Sequence, residues 1–532
     1  MTHLHIHSNY SLLNGAFSIE ELVRKASNLK FSSLSLTDTN GMYGLIKFYK
    51  ECINAGIKPL LGVQIDEITD KNKYVIFIAK NNDGFSDICS IITSRKLDKN
   101  FSLRNLLKEF HPNLIIISPN IELLESINIK NQFYAELIFT REQKIKSKNL
   151  YNYAQEKRIK IVGTNPVYFL EKDDFIVHKL LRAIDENTTI ANITLNDIVD
   201  PEYYFKSADE LKVLFKDIPD ALIESEKIAE QCNVDLKIGE YKFPHYPNAK
   251  PDSFTFFYKI VYEGFHKKYP KPTQNEKERL EREIEVITSL NFVDYFLIVW
   301  DIVQEARRRG TLYIGRGSAA NSMVAYCLDI TQIEPIRNNL FFERFLNKAR
   351  KSPPDVDIDF SWKERDEMIK YVFEKYGYEN VAMISTHVTF RAKSAFREVA
   401  KAYGISDAEI SNYSRKIPWT NAKNLPRISE IFPESKSLDF SKEPWKSIVH
   451  LASRIADFPR YLSIHPGGIV ITPTKITDYC ALEYAKNKGL GLIITQPDMY
   501  SIEDLGLIKI DLLSQRSLGV LRDTMDMIKK KS

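Results

Sequence analysis

A chain of 532 residues, 44% hydrophobic and 27% charged, has room for two to four globular domains, so core size sets no limit on its fold. Its formal net charge of +4, from 74 basic and 70 acidic residues, excludes a strongly basic coat, so contact with nucleic acid has to come from local patches. Five scattered Cys without a Cys-x-x-Cys pair argue against a zinc ribbon or a disulfide framework, and short apolar runs argue against a membrane span, so a cytoplasmic protein is expected.

The chain opens His3-Leu4-His5-Ile6-His7-Ser8, and alternation along a strand puts the three His on one side. Clustered neutral imidazoles suit Zn, Mn or Fe, and Asp38, at the end of the apolar strand 33–37, is a further candidate ligand. Residues 18–29 predict a helix, with Ser18 as N-cap and Glu21 as its capping-box partner. Strand–helix alternation continues through strands at 58–63, 74–79, 114–118 and 160–164, which predicts an α/β domain, barrel-like, with its site at the strand ends.

Residues 241–275 are punctuated by Pro244, Pro247, Pro251, Pro270 and Pro272 and mark a domain boundary. A helix from Glu276 follows, carrying Arg279, Arg282 and Glu283, then a second helix through residues 295–300 that ends at Gly310. Residues 313–326 then predict a strand, a tight Gly turn and a helix start. Gly315 and Gly317 allow close backbone approach, Arg316 adds charge, and Ser318 or Ser322 adds a hydroxyl donor, all suited to an anion. Arg344, flanked by aromatic residues, either neutralises Glu343 or faces phosphate.

Residues 352–360, Ser-Pro-Pro-Asp-Val-Asp-Ile-Asp-Phe, read as a strand with Val356, Ile358 and Phe360 on one face and Asp355, Asp357 and Asp359 on the other. Three carboxylates on one face repel, and a chain keeps such a face mainly where a cation sits. Hard ions such as Mg²⁺ are held by one or two carboxylates plus substrate phosphates, and two such ions about 4 Å apart can activate an attacking oxygen and stabilise a leaving one. The alternative is an edge strand with solvated Asp. Residues 365–376 predict a helix closed by Gly377. Residues 389–401 predict another, with Lys393, Arg397 and Lys401 on one stripe that phosphates would neutralise. Residues 465–473 predict a strand after a Gly pair, and residues 507–513 one more, with Lys509 and Asp511 on one face. An isolated Asp in an apolar strand costs several kcal/mol unless paired or metal-bound.

Two resemblances rest on these residues. The His-rich opening through Ser11, Leu36-Thr37-Asp38 and residues 55–62 resemble the polymerase-and-histidinol-phosphatase (PHP) domain. Metal-binding PHP members have His after the Asp, Glu near Gly62-Val63 and a late Asn-Asp-x-His. This chain has Thr39, Gln64 and Asn165-Pro166-Val167-Tyr168 there, so the resemblance implies that His5, His7 and Asp38 are remnants of a metal site in a scaffold.

Gly315-Arg316-Gly317-Ser318, Phe342-Glu343-Arg344-Phe345-Leu346-Asn347 and Pro354-Asp355-Val356-Asp357-Ile358-Asp359-Phe360, in this order, look like the palm of the C-family of bacterial replicative polymerases, the DNA polymerase III alpha family. That resemblance implies a PHP-like (β/α) barrel over 1–240, a mixed α+β palm over 241–384 and 461–513, an inserted helical thumb over 385–460 and the start of the fingers over 514–532. It implies that Asp355, Asp357 and Asp511 hold two Mg²⁺ for nucleotidyl transfer from dNTP to a primer 3′-hydroxyl. Arg316, Gly317, Ser318, Arg344, Lys393, Arg397 and Lys509 would contact nucleotide or phosphate. The implied partners are primer–template DNA, dNTP, the sliding clamp and other replisome subunits. The family continues several hundred residues beyond Asp511, whereas this sequence stops at Ser532. A fragment, a split half whose fingers come from a separate chain, or a degenerate copy are the expectations, with a non-catalytic DNA-binding piece and a PHP-type phosphoesterase as alternatives.

Overall fold

The computed structural model describes residues 1–347, 356–485 and 492–531. They fall into two compact units, one of Met1–Leu236, Thr386–Ser463 and Cys480–Asn487, the other of Lys237–Ser385, Ile464–Tyr479 and Lys488–Ser532.

In the first unit six strands, β1 (Ser33–Leu36), β2 (Lys58–Asp66), β3 (Tyr74–Ala79), β4 (Leu114–Ser118), β5 (Gln132–Ile138) and β6 (Lys160–Thr164), lie in sequence order in one sheet. The opening segment bridges both edges, His3 pairing with Leu34 and Ile6 with Val167, so the sheet curls back on itself and the His-rich stretch lines its inside. The helix Ile19–Asn28 has the predicted capping box of Ser18 and Glu21.

The sequence predicts strand–helix alternation, but no helix separates β2 from β3, and β3 runs antiparallel to both β2 and β4. Residues 67–73 are too few for a crossover, so the chain must double back. Strand β5 is unanticipated because Glu136 interrupts its apolar run. The segment Thr386–Ser463, which takes in nearly all of the 385–460 expected as an inserted thumb, shares a hydrophobic core with the first part of this unit: Phe169, Leu180 and Leu181 join Phe396, Val399 and Ile448 in one cluster. The helix predicted over 389–401 starts only at Ala392, because Phe390 is held by backbone bonds with Asp457 and Phe458 and Thr389 ends a strand.

In the second unit the strand order is β12 (Ile493–Asp498), β9 (Val381–Thr389), β10 (Pro459–Ile471), β13 (Lys509–Gln515), β8 (Asp357–Ser361) and β7 (Tyr313–Arg316); β9 contributes its residues to Ser385 and β10 its residues from Ile464. The short strand β11 (Leu482–Tyr484) belongs to the first unit. Val356, Ile358 and Phe360 are buried on one face of β8, as alternation requires. Helices Gln274–Ser289 and Val293–Arg308 bury Leu280, Ile287, Phe296 and Ile302. The helix Arg365–Tyr376 ends at Gly377, whose φ of 91° lies in the left-handed half of backbone space. Among the described residues no single helix is long and apolar enough to cross a membrane.

Two buried histidines make the first unit acid-sensitive. His178 donates from Nδ1 to the Asn14 carbonyl at 2.8 Å and accepts at Nε2 from the Val199 N–H at 3.1 Å, so a second proton would face a donor. His3 gives its Nε2 proton to the Lys206 carbonyl, and its buried Nδ1 has no partner to receive a proton's bond. Burial pushes both imidazoles down to about 4. Each therefore contributes stability that is present above pH 6.5 and is lost as the pH falls towards 4. Asp38 works in the opposite sense, since burial pushes its carboxyl up to about 6, so its contribution is lost as the pH rises to that value. Two histidines outweigh one carboxyl, and unfolding midpoints in urea should fall between pH 7 and pH 5. His178→Asn, which keeps a donor for the Asn14 carbonyl, should remove about 2 kcal/mol of that pH dependence.

Candidate active site

A single row of residues crosses four strands of the second unit. Gly468 on β10 pairs with Asp511 on β13, Asp511 pairs with Asp357 on β8, and Asp357 pairs with Arg316 on β7. Directly paired residues share a face, so the two carboxylates stand side by side on strands about 4.8 Å apart. Gly468 matters because it has no side chain: a Cβ there would lie 2.7 Å from Nδ1 of His465.

Asp511 is 8% exposed, and its two oxygens differ. Oδ2 accepts from the Lys509 ammonium at 3.0 Å, whereas Oδ1 is buried without a hydrogen-bond donor. His465 Nδ1 lies 3.6 Å from that oxygen. It cannot donate to it, because Nδ1 already accepts the Gly468 N–H at 2.7 Å. Burial also holds the His465 imidazole below its ordinary value, outweighing the pull of Asp511. The 3.6 Å approach is thus a contact between two acceptors, and His465 is a structural ligand of the Gly467-Gly468 backbone.

Asp359, one alternation on from Asp357, is 4% exposed and answers a different charge. Arg316 Nε lies 3.0 Å from its Oδ1 and 2.9 Å from its Oδ2, and Gln515 Nε2 donates to Oδ2 at 3.2 Å. The hydrogen bond to Asp359 holds the Arg316 guanidinium above its usual basicity. Arg316 Nη1 is 3.8 Å from Asp357 Oδ2.

The strand β7 runs directly into the predicted turn. Gly317 has φ 73°, which a side chain rarely adopts, and sits against Asp357, whose Oδ2 a Cβ there would meet at 3.4 Å. The sequence predicts a helix start after this turn. Instead a 3₁₀ segment, Gly317–Asn321, leads to the short helix Met323–Cys327. Ser322 is fully buried: it caps that helix through Ala325 N–H and donates to Glu283 at 2.8 Å, which leaves Ser318 as the hydroxyl of the turn.

Glu283, also fully buried, accepts from Val324 N–H and from Arg279 Nε at 2.6 Å, and Arg279 reaches the Asn321 carbonyl at 2.9 Å. These two residues were visible in the sequence only as a helical i, i+4 pair. Their role as the brace of the turn is set by tertiary packing.

Asp355 lies outside the described residues. Arg344 is exposed on the 3₁₀ turn Phe342–Arg344, and the cation beside Glu343 is Arg282, at 3.6 Å. Lys393 and Arg397 belong to the first unit, on helix Ala392–Ala402, with Lys393 exposed and Arg397 bonded to Ser414 at 3.3 Å.

His5, His7 and Asp38 do converge, in a closed hydrogen-bonded network. His5 Nδ1 lies 2.7 Å from Glu136, His5 Nε2 lies 2.8 Å from His7 Nε2, and Thr39 Oγ1 lies 3.2 Å from His7 Nδ1. Burial holds His7 well below its ordinary basicity. Gln64 meets His5 at 2.9 Å, and Ser8 and Ser11 donate to both oxygens of Asp38. A cleft of about 300 Å³ lined by His5, Gln64, Tyr74, Glu136 and Tyr168 overlies it. Among the described residues no His, Cys, Asp and Glu side chains group as a set of three or more metal ligands. Glu136 is the residue the sequence concealed: a lone carboxylate in an apolar strand was its only signal.

Two family descriptions match the chain: the PHP domain over residues 3–126 and the bacterial DNA polymerase III alpha NTPase domain over residues 255–514. The DNA polymerase III subunit alpha of Bacillus subtilis is 34% identical over 99% of this chain and 49% of its own length. That of Escherichia coli K12 is 32% identical over the same shares. An error-prone DNA polymerase of Symbiobacterium thermophilum is 30% identical over 99% of this chain and 52% of its own length. The chain thus spans about half the length of the curated relatives it matches.

The brace under the turn is directly testable. Glu283→Ala removes one member of a buried ion pair and strands Arg279, so urea denaturation should show a loss of about 3 kcal/mol. Glu283→Gln, which keeps acceptors for Ser322 and Val324, should cost less.

Proposed function

We propose that this chain, which is similar to DNA polymerase III alpha subunits over about half of their length, carries in its second unit the catalytic palm of a template-directed DNA polymerase. The observation that carries this reading is the pairing of Asp357 with Asp511, where one buried carboxylate oxygen lacks a donor. Two adjacent carboxylates and an unsatisfied oxygen form a donor set suited to a hard divalent cation. Asp357 and Asp511, with Asp355, would hold Mg²⁺. Bound there, Mg²⁺ supplies a lowered pKa for the primer 3′-hydroxyl and neutralises charge on the triphosphate.

The chain's own groups do the positioning. The Gly317 turn lets backbone N–H groups approach an anion closely, since the residue has no Cβ to hold it off. Arg316, whose Nη1 lies 3.8 Å from Asp357 Oδ2, and the hydroxyl of Ser318 in the turn would add side-chain donors for that anion. Lys509 offsets the charge of Asp511 and offers its ammonium to a phosphate. In the first unit the stripe of Lys393, Arg397 and Lys401 suits a nucleic-acid backbone. His5, His7, Asp38 and Glu136 bond to one another and to their neighbours, which supports a PHP-like domain acting as a scaffold.

The decisive assay is primer extension with this chain joined by the polypeptide that carries the remaining half of the family's length. Asp511→Asn and Asp357→Asn should each lower the extension rate by about a hundredfold or more while primer–template binding persists. Undiminished extension by either variant would refute the palm assignment.

A further inference from the structure

We infer that the cleft between the helix Gln274–Ser289 and residues 335–341 is a binding site for a nucleoside phosphate. The inference does not rest on the palm reading, because no residue of the carboxylate row lines this cleft.

The cleft encloses about 380 Å³, a size suited to a small molecule. One wall is helical, and Arg279 and Arg282 stand on it one turn apart, with Asn275 a turn earlier. The other wall is a closed loop. The Leu340 N–H donates to the Pro335 carbonyl at 2.8 Å and the Asn339 N–H to the Ile336 carbonyl at 2.9 Å. Asn339 takes a φ of 49°, a left-handed value that Asn accepts more readily than most residues. Both walls are thus formed before any ligand arrives.

The two walls offer different chemistry. Arg282 is 54% exposed, and its partner Glu343, equally exposed, stands 3.6 Å away, beyond hydrogen-bond length. Such a surface pair contributes little, so a phosphate can take the guanidinium, whose planar fork fits its oxygens. The Arg279 side chain is only 12% exposed. Its Nε is spent on Glu283 at 2.6 Å and its Nη2 on the carbonyls of Asn321 and Leu340, at 2.9 and 3.3 Å. Among the described residues its Nη1 has no hydrogen-bond partner, so a nearly buried donor in the wall is left for a ligand. Across the cleft Phe341 is 58% exposed and presents a ring on which a base can stack. The amides of Asn275 and Asn339 supply the adjoining donor and acceptor that read a base edge. Glu278, in the helical wall, accepts from Gln274 at 2.9 Å and suits the exocyclic amine of a base. A phosphate alone, or an acidic peptide, would engage the arginines and leave the ring and the amides without a task. A nucleotide uses both walls. It also touches the brace of the Gly317 turn, because the guanidinium it meets holds Asn321 and pairs with the Glu283 that accepts from Ser322.

The test titrates AMP calorimetrically into the full chain in EDTA, so that no divalent ion brings the carboxylate row into play. AMP should bind, and Arg282→Gln and Phe341→Ala should each raise its dissociation constant about tenfold, the order expected of one lost guanidinium–phosphate bond or one lost stack. Both residues are more than half exposed, so the circular dichroism spectrum should not change. Adenosine and inorganic phosphate, each half of the ligand, should bind at least about tenfold more weakly than AMP. A free nucleotide and a nucleotide within a single strand share this chemistry. An oligodeoxyadenylate that binds more tightly than AMP and fails in the same two variants identifies the strand, and one that binds more weakly identifies the free nucleotide. An unsubstituted chain that takes up no AMP overturns the inference, as does either variant that binds AMP like the unsubstituted chain. Inorganic phosphate that binds as tightly as AMP also overturns it, as does a hexaglutamate peptide that needs Arg282 where AMP does not bind. None of these results bears on the palm assignment.

Discussion

Like charges forced together on adjacent strands are the constraint from which the second unit's architecture follows. Asp511 and Asp357 stand abreast in a parallel pair, an arrangement that costs free energy in any protein that has no cation to put there. Each feature around them eases that cost or exploits it. Lys509 binds one oxygen of Asp511, and Arg316 lies over the neighbouring strand, with Asp359 as its anchor. On the far side Gly468 contributes no side chain and His465 is turned onto the backbone, which leaves the other oxygen of Asp511 buried and unsatisfied. Such an oxygen is tolerated where a ligand completes it, and functional sites are where proteins keep strain of this kind.

The turn after β7 shows how much support one bend requires. Gly317 adopts a backbone conformation closed to most residues and comes up against Asp357. What keeps it there is remote in sequence: Arg279 and Glu283, on a helix that precedes β7, bind the carbonyl of Asn321 and the hydroxyl of Ser322. A buried ion pair adds little net stability on its own, but it fixes geometry, because leaving either charge alone is costly. The turn is therefore set by a helix and not only by its own glycines.

The sequence revealed these features unequally, for physical reasons. Strands such as Tyr74–Ala79 and Leu114–Ser118 were legible because buried β-branched runs admit few alternatives, and the Ser18–Glu21 capping box marked its helix directly. Alternation placed Asp357 and Asp359 on one face, yet gave no sign that Arg316, from another strand, bonds Asp359 more closely than Asp357. The pairing of Asp511 with Asp357 bridges 154 residues of sequence and is a property of the sheet, with no local trace in sequence. Likewise Ser322 looked like a hydroxyl for an anion until packing committed it to Glu283. In the first unit His5, His7 and Asp38 were legible as a cluster. Their closure with Glu136 and Thr39 was not, since β5 hides its single carboxylate in an apolar run.

On this reading the carboxylates of β8 and β13 form a divalent-cation site. Anomalous diffraction from crystals grown with Mn²⁺ tests it most directly. A peak in contact with both Asp357 and Asp511 is expected. A well-ordered second unit with no peak there, or with Mn²⁺ bound only elsewhere, would contradict it.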